Sequence, residues 1–215
     1  MELLKDFIDL FLHLDTHLSE LIAAYGTWTY AILFLIIFCE TGLVVTPFLP
    51  GDSLLFAAGT FAGMGDLHPG LLFLLLFSAS VLGDSTNYWV GRYIGPRAFG
   101  GNIRFLKREY LDKTHSFYDR HGRKTVILAR FLPIIRTFAP FVAGVGAMPY
   151  GRFVSMSLAG SAAWVGLFVG AGYFFGNLQV VRENFSLVVM GIIGISLLPI
   201  AIEWAKVALR RPQAP

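Results

Sequence analysis

The chain has 215 residues, of which 55% are hydrophobic and 14% carry a formal charge, and its mean hydropathy is +0.64. This composition excludes an ordinary soluble protein and predicts an integral membrane protein with no room for a soluble catalytic domain. The net charge is only +3, yet eight of the 17 basic residues lie between Arg97 and Lys124. A basic cluster of this kind is typical of a surface that faces anionic lipid headgroups.

Residues 1–24 have apolar residues at helical spacing, interrupted by charged ones. They predict an amphipathic helix at the membrane interface, on the cytoplasmic side, and not a cleavable signal. A single membrane transport domain is predicted for residues 25–208, and residues 209–215 form a cytoplasmic tail. Within this domain we expect a first half at 28–95, a basic cytoplasmic surface helix at 97–124 and a second half at 125–203.

The first half predicts a crossing at 28–45, followed by a break at Pro47, Pro50 and Gly51. The apolar segment that follows, 53–64, is too short to span a bilayer core of about 30 Å. We therefore interpret it as the return arm of a re-entrant hairpin. The next apolar segment, 70–95, is long enough to cross.

The second half begins with an apolar segment, 125–148, that contains Pro133 and Pro140. A broken backbone at membrane depth persists only where protein or water covers it, so this segment predicts a second re-entrant hairpin. Segments 153–176 and 185–202 predict further crossings. The distribution of basic residues favours four crossings, two hairpins that enter from opposite faces, and a cytoplasmic C-terminus.

The two halves share short motifs, which predicts an all-α fold built on an inverted repeat. The matching segments are Phe48-Leu49-Pro50 with Phe131-Leu132-Pro133, and Ala58-Gly59 with Ala143-Gly144. The first half carries acids where the second carries arginines. The halves are therefore related but opposite in charge.

Four ionisable residues lie inside the apolar segments, namely Glu40, Asp52, Arg130 and Arg136. An unpartnered charge at the bilayer centre costs roughly 2.5–3.5 kcal/mol, so we expect these four to meet at the hairpin tips. Arginine suits bidentate contact with phosphate, and a membrane-embedded acid can couple its protonation to movement. We predict that Arg130 and Arg136 bind a phosphate, whereas Glu40 and Asp52 carry protons or form the ion pair.

Some of these assignments stay open at the level of sequence. Asp52 could simply cap the helix that begins near Ser53, and Arg130 could extend its side chain to the cytoplasmic interface. Asp84 and Asn87 lie on one face of a predicted helix. They suit a structural polar pair and a supporting role in the site equally well.

Longer motifs occur around the same residues: Phe38-Cys39-Glu40-Thr41-Gly42, Pro50-Gly51-Asp52-Ser53-Leu54, Gly83-Asp84 with Asn87-Tyr88, and Ala129-Arg130-Phe131-Leu132-Pro133 with Arg136-Thr137. Together they resemble the DedA family, also called SNARE-associated or VTT-domain proteins, over residues 2–205. The resemblance implies a bacterial inner-membrane protein with two opposed re-entrant hairpins. Family residues described as essential match Glu40, Asp52, Arg130 and Arg136.

The resemblance also implies a function. Several family members are assigned to moving lipids across the bilayer, including undecaprenyl phosphate and phosphatidylethanolamine, and others are described as needing proton motive force. We therefore expect a lipid flippase whose partners are membrane lipids and protons, with no cofactor, metal or nucleic acid. Homo-oligomerisation is left open.

Two alternatives remain beside the flippase. One is a proton-coupled antiporter for small ions or drugs, which would use the same acids. The other class, a lipid phosphatase or a structural scaffold, is disfavoured. No histidine lies at membrane depth beside serine or arginine, no cysteine has a base partner, and a scaffold gives no reason to keep four charges in hydrocarbon.

Overall fold

The computed structural model describes residues 14–43, 51–100, 133–195 and 198, and in these ranges every regular element is an α-helix. This confirms the predicted all-α class. The helices are α1 (Leu14–Tyr25), α2 (Trp28–Gly42), α3 (Gly51–Met64), α4 (Pro69–Gly100), α5 (Pro133–Val145), α6 (Tyr150–Phe175), α7 (Gln179–Glu183) and α8 (Phe185–Ile195). Most of the basic segment 97–124 and the whole tail 209–215 lie outside the described residues.

Two of the described helices are long and apolar enough to cross a membrane, at Pro69–Ile94 in α4 and Tyr150–Phe175 in α6. Each has 26 residues in this range, about 39 Å of helix. They coincide with the segments predicted to cross at 70–95 and 153–176. The described part of α8, Phe185–Ile195, is shorter than a bilayer core.

Helix α2 forms a hairpin with α3. It has 15 residues, about 22 Å, and ends at Gly42, short of the crossing predicted for 28–45. At one end of the pair, the backbone N–H of His68 donates to the Tyr30 hydroxyl at 2.6 Å. At the other end, Glu40 of α2 accepts a hydrogen bond from the N–H of Gly51. Helices α2 and α3 are therefore linked at both ends, whereas the sequence analysis assigned 53–64 alone to a hairpin.

Helix α3 packs parallel to α6 through closely approaching glycines. A side chain on Gly59 would collide with the carbonyl of Val169, and one on Gly172 with the carbonyl of Phe56. In both cases the carbonyl belongs to the residue three positions before the facing glycine. The two backbones are therefore in direct contact, as in small-residue contacts between membrane helices.

Helix α5 packs parallel to α4 in the same way. A side chain on Gly144 would collide with the carbonyl of Tyr88, and one on Gly91 with the carbonyl of Phe141. Again the carbonyl lies three positions before the facing glycine. The short helix of each half therefore packs on the long helix of the other half, with one glycine geometry used twice.

The two long helices, α4 and α6, run antiparallel and meet at a serine pair. Ser80 of α4 donates a hydrogen bond to Ser161 of α6 at 3.3 Å, and both side chains are buried. Each serine lies 11 positions before the crossing glycine of its own helix, Gly91 or Gly172. An approximate twofold axis thus passes between these serines, which supports the inverted repeat.

Helix α1 lies at the end of the molecule where the α2–α3 hairpin has its base. Leu18 is buried in the main apolar core, and Leu21 and Ile22 pack against it. Ser19 of α1, Asp66 after α3 and Arg182 of α7 line one cavity at this end. The turn between α5 and α6 and the C-terminal end of α4 lie at the opposite end.

Candidate functional site

Helices α3 and α5 both begin near the centre of the molecule and run to opposite ends. This follows from their packing, since α3 is parallel to α6, α5 is parallel to α4, and the two long helices are antiparallel. Asp52 lies in the first turn of α3 and Arg136 in the first turn of α5. Two helix N-termini with partial positive charge therefore converge, as at anion sites formed by broken membrane helices.

An ion-pair network joins the two helix starts. Arg136 donates from Nη2 to Oε1 of Glu40 at 2.5 Å and from Nη1 to Oδ1 of Asp52 at 2.8 Å. The exposed fractions of these side chains are 4% for Arg136, 0% for Glu40 and 14% for Asp52. The structure thus brings three of the four sequence-selected charges together. Arg130 lies outside the described residues.

Glu40 also fixes the tip of the first hairpin. The N–H of Gly51 donates to the Glu40 carboxylate at 3.2 Å, which ties the end of α2 to the start of α3. A side chain on Gly51, the first residue of α3, would collide with this carboxylate unless Glu40 shifted. Pro47 and Pro50, the other predicted breaks in this hairpin, lie outside the described residues.

The two prolines of the second predicted hairpin have different roles. Pro133 is the first residue of α5, a position where proline is favoured because its missing N–H is not needed there. Pro140 was predicted to break the hairpin, but this is wrong, because α5 continues through it to Val145. Its missing N–H withholds the helical hydrogen bond from the backbone carbonyl of Arg136, close to the ion pairs.

Trp164 of α6 contacts both Asp52 and Arg136. Its indole Nε1–H donates to Oδ1 of Asp52 at 2.8 Å, and its ring lies 4.6 Å from the guanidinium carbon of Arg136. The side chain is fully buried. Trp164 was not among the site residues predicted from sequence. No sequence signal links it to Asp52, because the contact depends on how α3 crosses α6.

Asn87 and Asp84 hold the surrounding helices in place. Asn87 donates to the backbone carbonyl of Thr137 at 2.6 Å and to that of Thr41 at 3.4 Å, which joins α4 to the start of α5 and the end of α2. Asp84 accepts a hydrogen bond from Ser157 of α6 at 2.6 Å. Both residues are buried. They therefore link neighbouring helices by buried hydrogen bonds beside the ion pairs.

Some buried polar atoms near the ion pairs have no hydrogen-bond partner among the described residues. The Nε of Arg136, Oδ1 of Asn87 and Oγ of Ser53 are buried without a hydrogen-bond partner in the part of the chain that the structure describes. Buried polar atoms are nearly always satisfied in native proteins, by protein, water or ligand. The guanidinium thus retains a donor beside the two that bind the acids.

Residues 49–174 match the family model of the VTT domain, a range that contains Asp52, Arg136 and Trp164. The chain therefore belongs to the DedA family of VTT-domain membrane proteins. It is 54% identical to Protein DedA of Escherichia coli over 94% of both chains.

More distant relatives are named as membrane proteins. The chain is 40% identical to an uncharacterized membrane protein of Mycobacterium tuberculosis, over 90% of this chain and 88% of the relative. It is 32% identical to the inner membrane protein YqjA of Escherichia coli, over 70% of this chain and 69% of the relative. No solved structure matches the chain.

Proposed function

We propose that this protein is a flippase that moves undecaprenyl phosphate, or a related phospholipid, across the bacterial inner membrane, driven by proton motive force. The observation that carries this proposal is the buried guanidinium of Arg136, which lies between two acids at the point where two helix N-termini converge. A buried cation with in-plane donors is suited to a phosphate, which accepts two parallel hydrogen bonds from guanidinium. Arg130 is proposed as a second phosphate ligand.

Substrate binding would proceed by exchange. The two acids accept hydrogen bonds from both Nη groups of Arg136, so a phosphate that binds through these same N–H groups would displace at least one of the acids. An acid that loses its cation in a buried site is more stable in the neutral form, because burial penalises charge. Phosphate binding would therefore favour proton uptake by Glu40 or Asp52. The polyprenyl tail stays in the bilayer throughout.

We further propose a membrane topology that differs from the one drawn from sequence. The α2–α3 hairpin and residues 125–148 would be re-entrant from opposite faces, and α4, α6 and the α8 segment would make three crossings. With the basic segment 97–124 in the cytoplasm, the C-terminus is cytoplasmic. Helix α1 then lies at the periplasmic face, since α1 and the C-terminal end of α4 lie at opposite ends.

The test is flipping of a fluorescent short-chain polyprenyl phosphate in proteoliposomes, with and without an imposed pH gradient. We expect gradient-dependent flipping by the wild-type protein. Arg136→Lys should reduce the rate at least about tenfold, because lysine cannot make the bidentate contact. Arg152→Lys is the matched control, since Arg152 is exposed on α6.

Two outcomes contradict the proposal. If folded wild-type protein does not flip the probe but dissipates the pH gradient, the antiporter becomes the better assignment. If Arg136→Lys flips as fast as the wild type, a point charge is sufficient, and bidentate recognition of phosphate by Arg136 is wrong.

A further inference from the structure

We infer that Trp164 is a positioning residue of the transport centre: it orients Arg136 toward the phosphate and keeps Asp52 in place while Arg136 changes partners. This inference rests on the proposed function. Trp164 contacts charged side chains from both halves at once, an acid on α3 and an arginine on α5. No other residue with described contacts bonds Asp52 and also lies over the guanidinium.

The guanidinium carbon of Arg136 lies over the indole ring of Trp164, a contact that can leave the guanidinium donors available. The N–H groups of arginine lie in the plane of the guanidinium, whereas an aromatic ring contacts its face. The indole of Trp164 lies 4.6 Å from the guanidinium carbon. It can therefore restrict the orientation of Arg136 without consuming a donor that the phosphate requires.

The indole N–H provides Asp52 with a donor that does not depend on Arg136. It donates to the same Oδ1 that accepts from Nη1 of Arg136. When phosphate takes this Nη1, the indole hydrogen bond can persist, and it is compatible with a charged or a neutral acid because the neutral carboxyl still has an acceptor oxygen. After exchange at Arg136, Asp52 then keeps one of these two hydrogen bonds.

The other described tryptophans provide matched controls. Trp28 is 73% exposed and Trp89 is 52% exposed, so neither is enclosed in the charged centre. Trp164→Phe retains an aromatic ring and removes the N–H donor. A second variant has 3-benzothienylalanine at position 164, which keeps the bicyclic shape but cannot donate.

The experiment measures the initial flipping rate of the fluorescent polyprenyl phosphate against its mole fraction in the bilayer. For both Trp164 variants we expect the apparent KM to rise by up to about tenfold, the factor for one hydrogen bond to a charged group, because Asp52 depends more on the indole donor once Nη1 of Arg136 has left it. The maximal rate per folded protein should stay within about twofold, because the defect lies in partner exchange on binding. Trp28→Phe and Trp89→Phe should match the wild type.

The outcomes separate this inference from the proposed function. If the Trp164 variants lose maximal rate and keep the wild-type KM, Trp164 only supports the fold and the inference is wrong. If Trp164→Phe fails to fold, the benzothienylalanine variant decides, and a wild-type KM in that variant overturns the role of the N–H. If wild-type protein does not flip the probe, the proposed function fails first and the inference fails with it.

Discussion

Replacing Arg136 with glutamine removes its positive charge from a centre in which Glu40 is fully buried and Asp52 is 14% exposed. Two charge-assisted hydrogen bonds to these acids are lost. Breaking a buried ion pair by removing one partner costs roughly 3–5 kcal/mol, most of it the penalty on the charge that is left. We expect Arg136→Gln to lower the free energy of unfolding by this amount.

A second substitution tests the cause of this loss. In the double variant Glu40→Gln/Arg136→Gln the buried acid is neutral, so the penalty on Glu40 disappears. We expect the double variant to be more stable than Arg136→Gln alone, with a coupling of about 1–3 kcal/mol between the two sites. A sum of two independent losses would contradict this reasoning.

The assay is thermal unfolding in detergent, followed by circular dichroism. A loss of 3–5 kcal/mol corresponds to a decrease in Tm on the order of 10 °C for a chain of this length. Arg152→Gln, on the exposed surface of α6, should change stability by less than about 0.5 kcal/mol. If Arg136→Gln costs less than about 1 kcal/mol, the pair behaves as a solvated surface pair and the picture of a buried centre is refuted.

Two further predictions concern packing and topology. Gly59→Ala should lower Tm, because the new methyl group meets the carbonyl of Val169, whereas Gly170→Ala should not, because nothing lies within 4 Å of a side chain there; equal effects in the same unfolding assay would contradict the glycine contact. In a protein whose Cys39 is replaced by serine, a cysteine at Asp66 should react with an impermeant maleimide from the periplasm, and one at Gly151 from the cytoplasm. Labelling of both from one side would refute the proposed topology.

The charged part of the site could be predicted from sequence, because a charge in an apolar segment is conspicuous at any position in the fold. Glu40 and Arg136 were selected on this basis alone, and the structure places them in contact. Trp164 could not be selected, because an aromatic residue in an apolar helix is unremarkable until its neighbours are known. Thr137 and Ser157 could not be predicted as site neighbours either, because their contacts depend on how separate helices pack.

The long helices were likewise evident from sequence, whereas the pairing of α2 with α3 was not. A segment of 18 apolar residues satisfies the length rule for a crossing, yet α2 ends at Gly42 after 15 residues. At this end Gly42 lies against Gly83 of α4 at close approach, and Glu40 accepts a hydrogen bond from the start of α3. Pro140 was predicted to interrupt a helix that in fact continues through it. A buried helix can accommodate proline when its neighbours support the backbone.

The packing of this molecule is nearly symmetric, but its charges are not. Glycine contacts fix α3 to α6 and α5 to α4 by the same geometry, so each pair forms one packed unit. Asp52 belongs to the first unit and Arg136 to the second, and Trp164 reaches from the first unit onto Arg136. A repeat with identical charges in both halves would place like charges together at the twofold axis. Opposite charges convert the same place into an attractive contact, whose rupture leaves an arginine available to an anion.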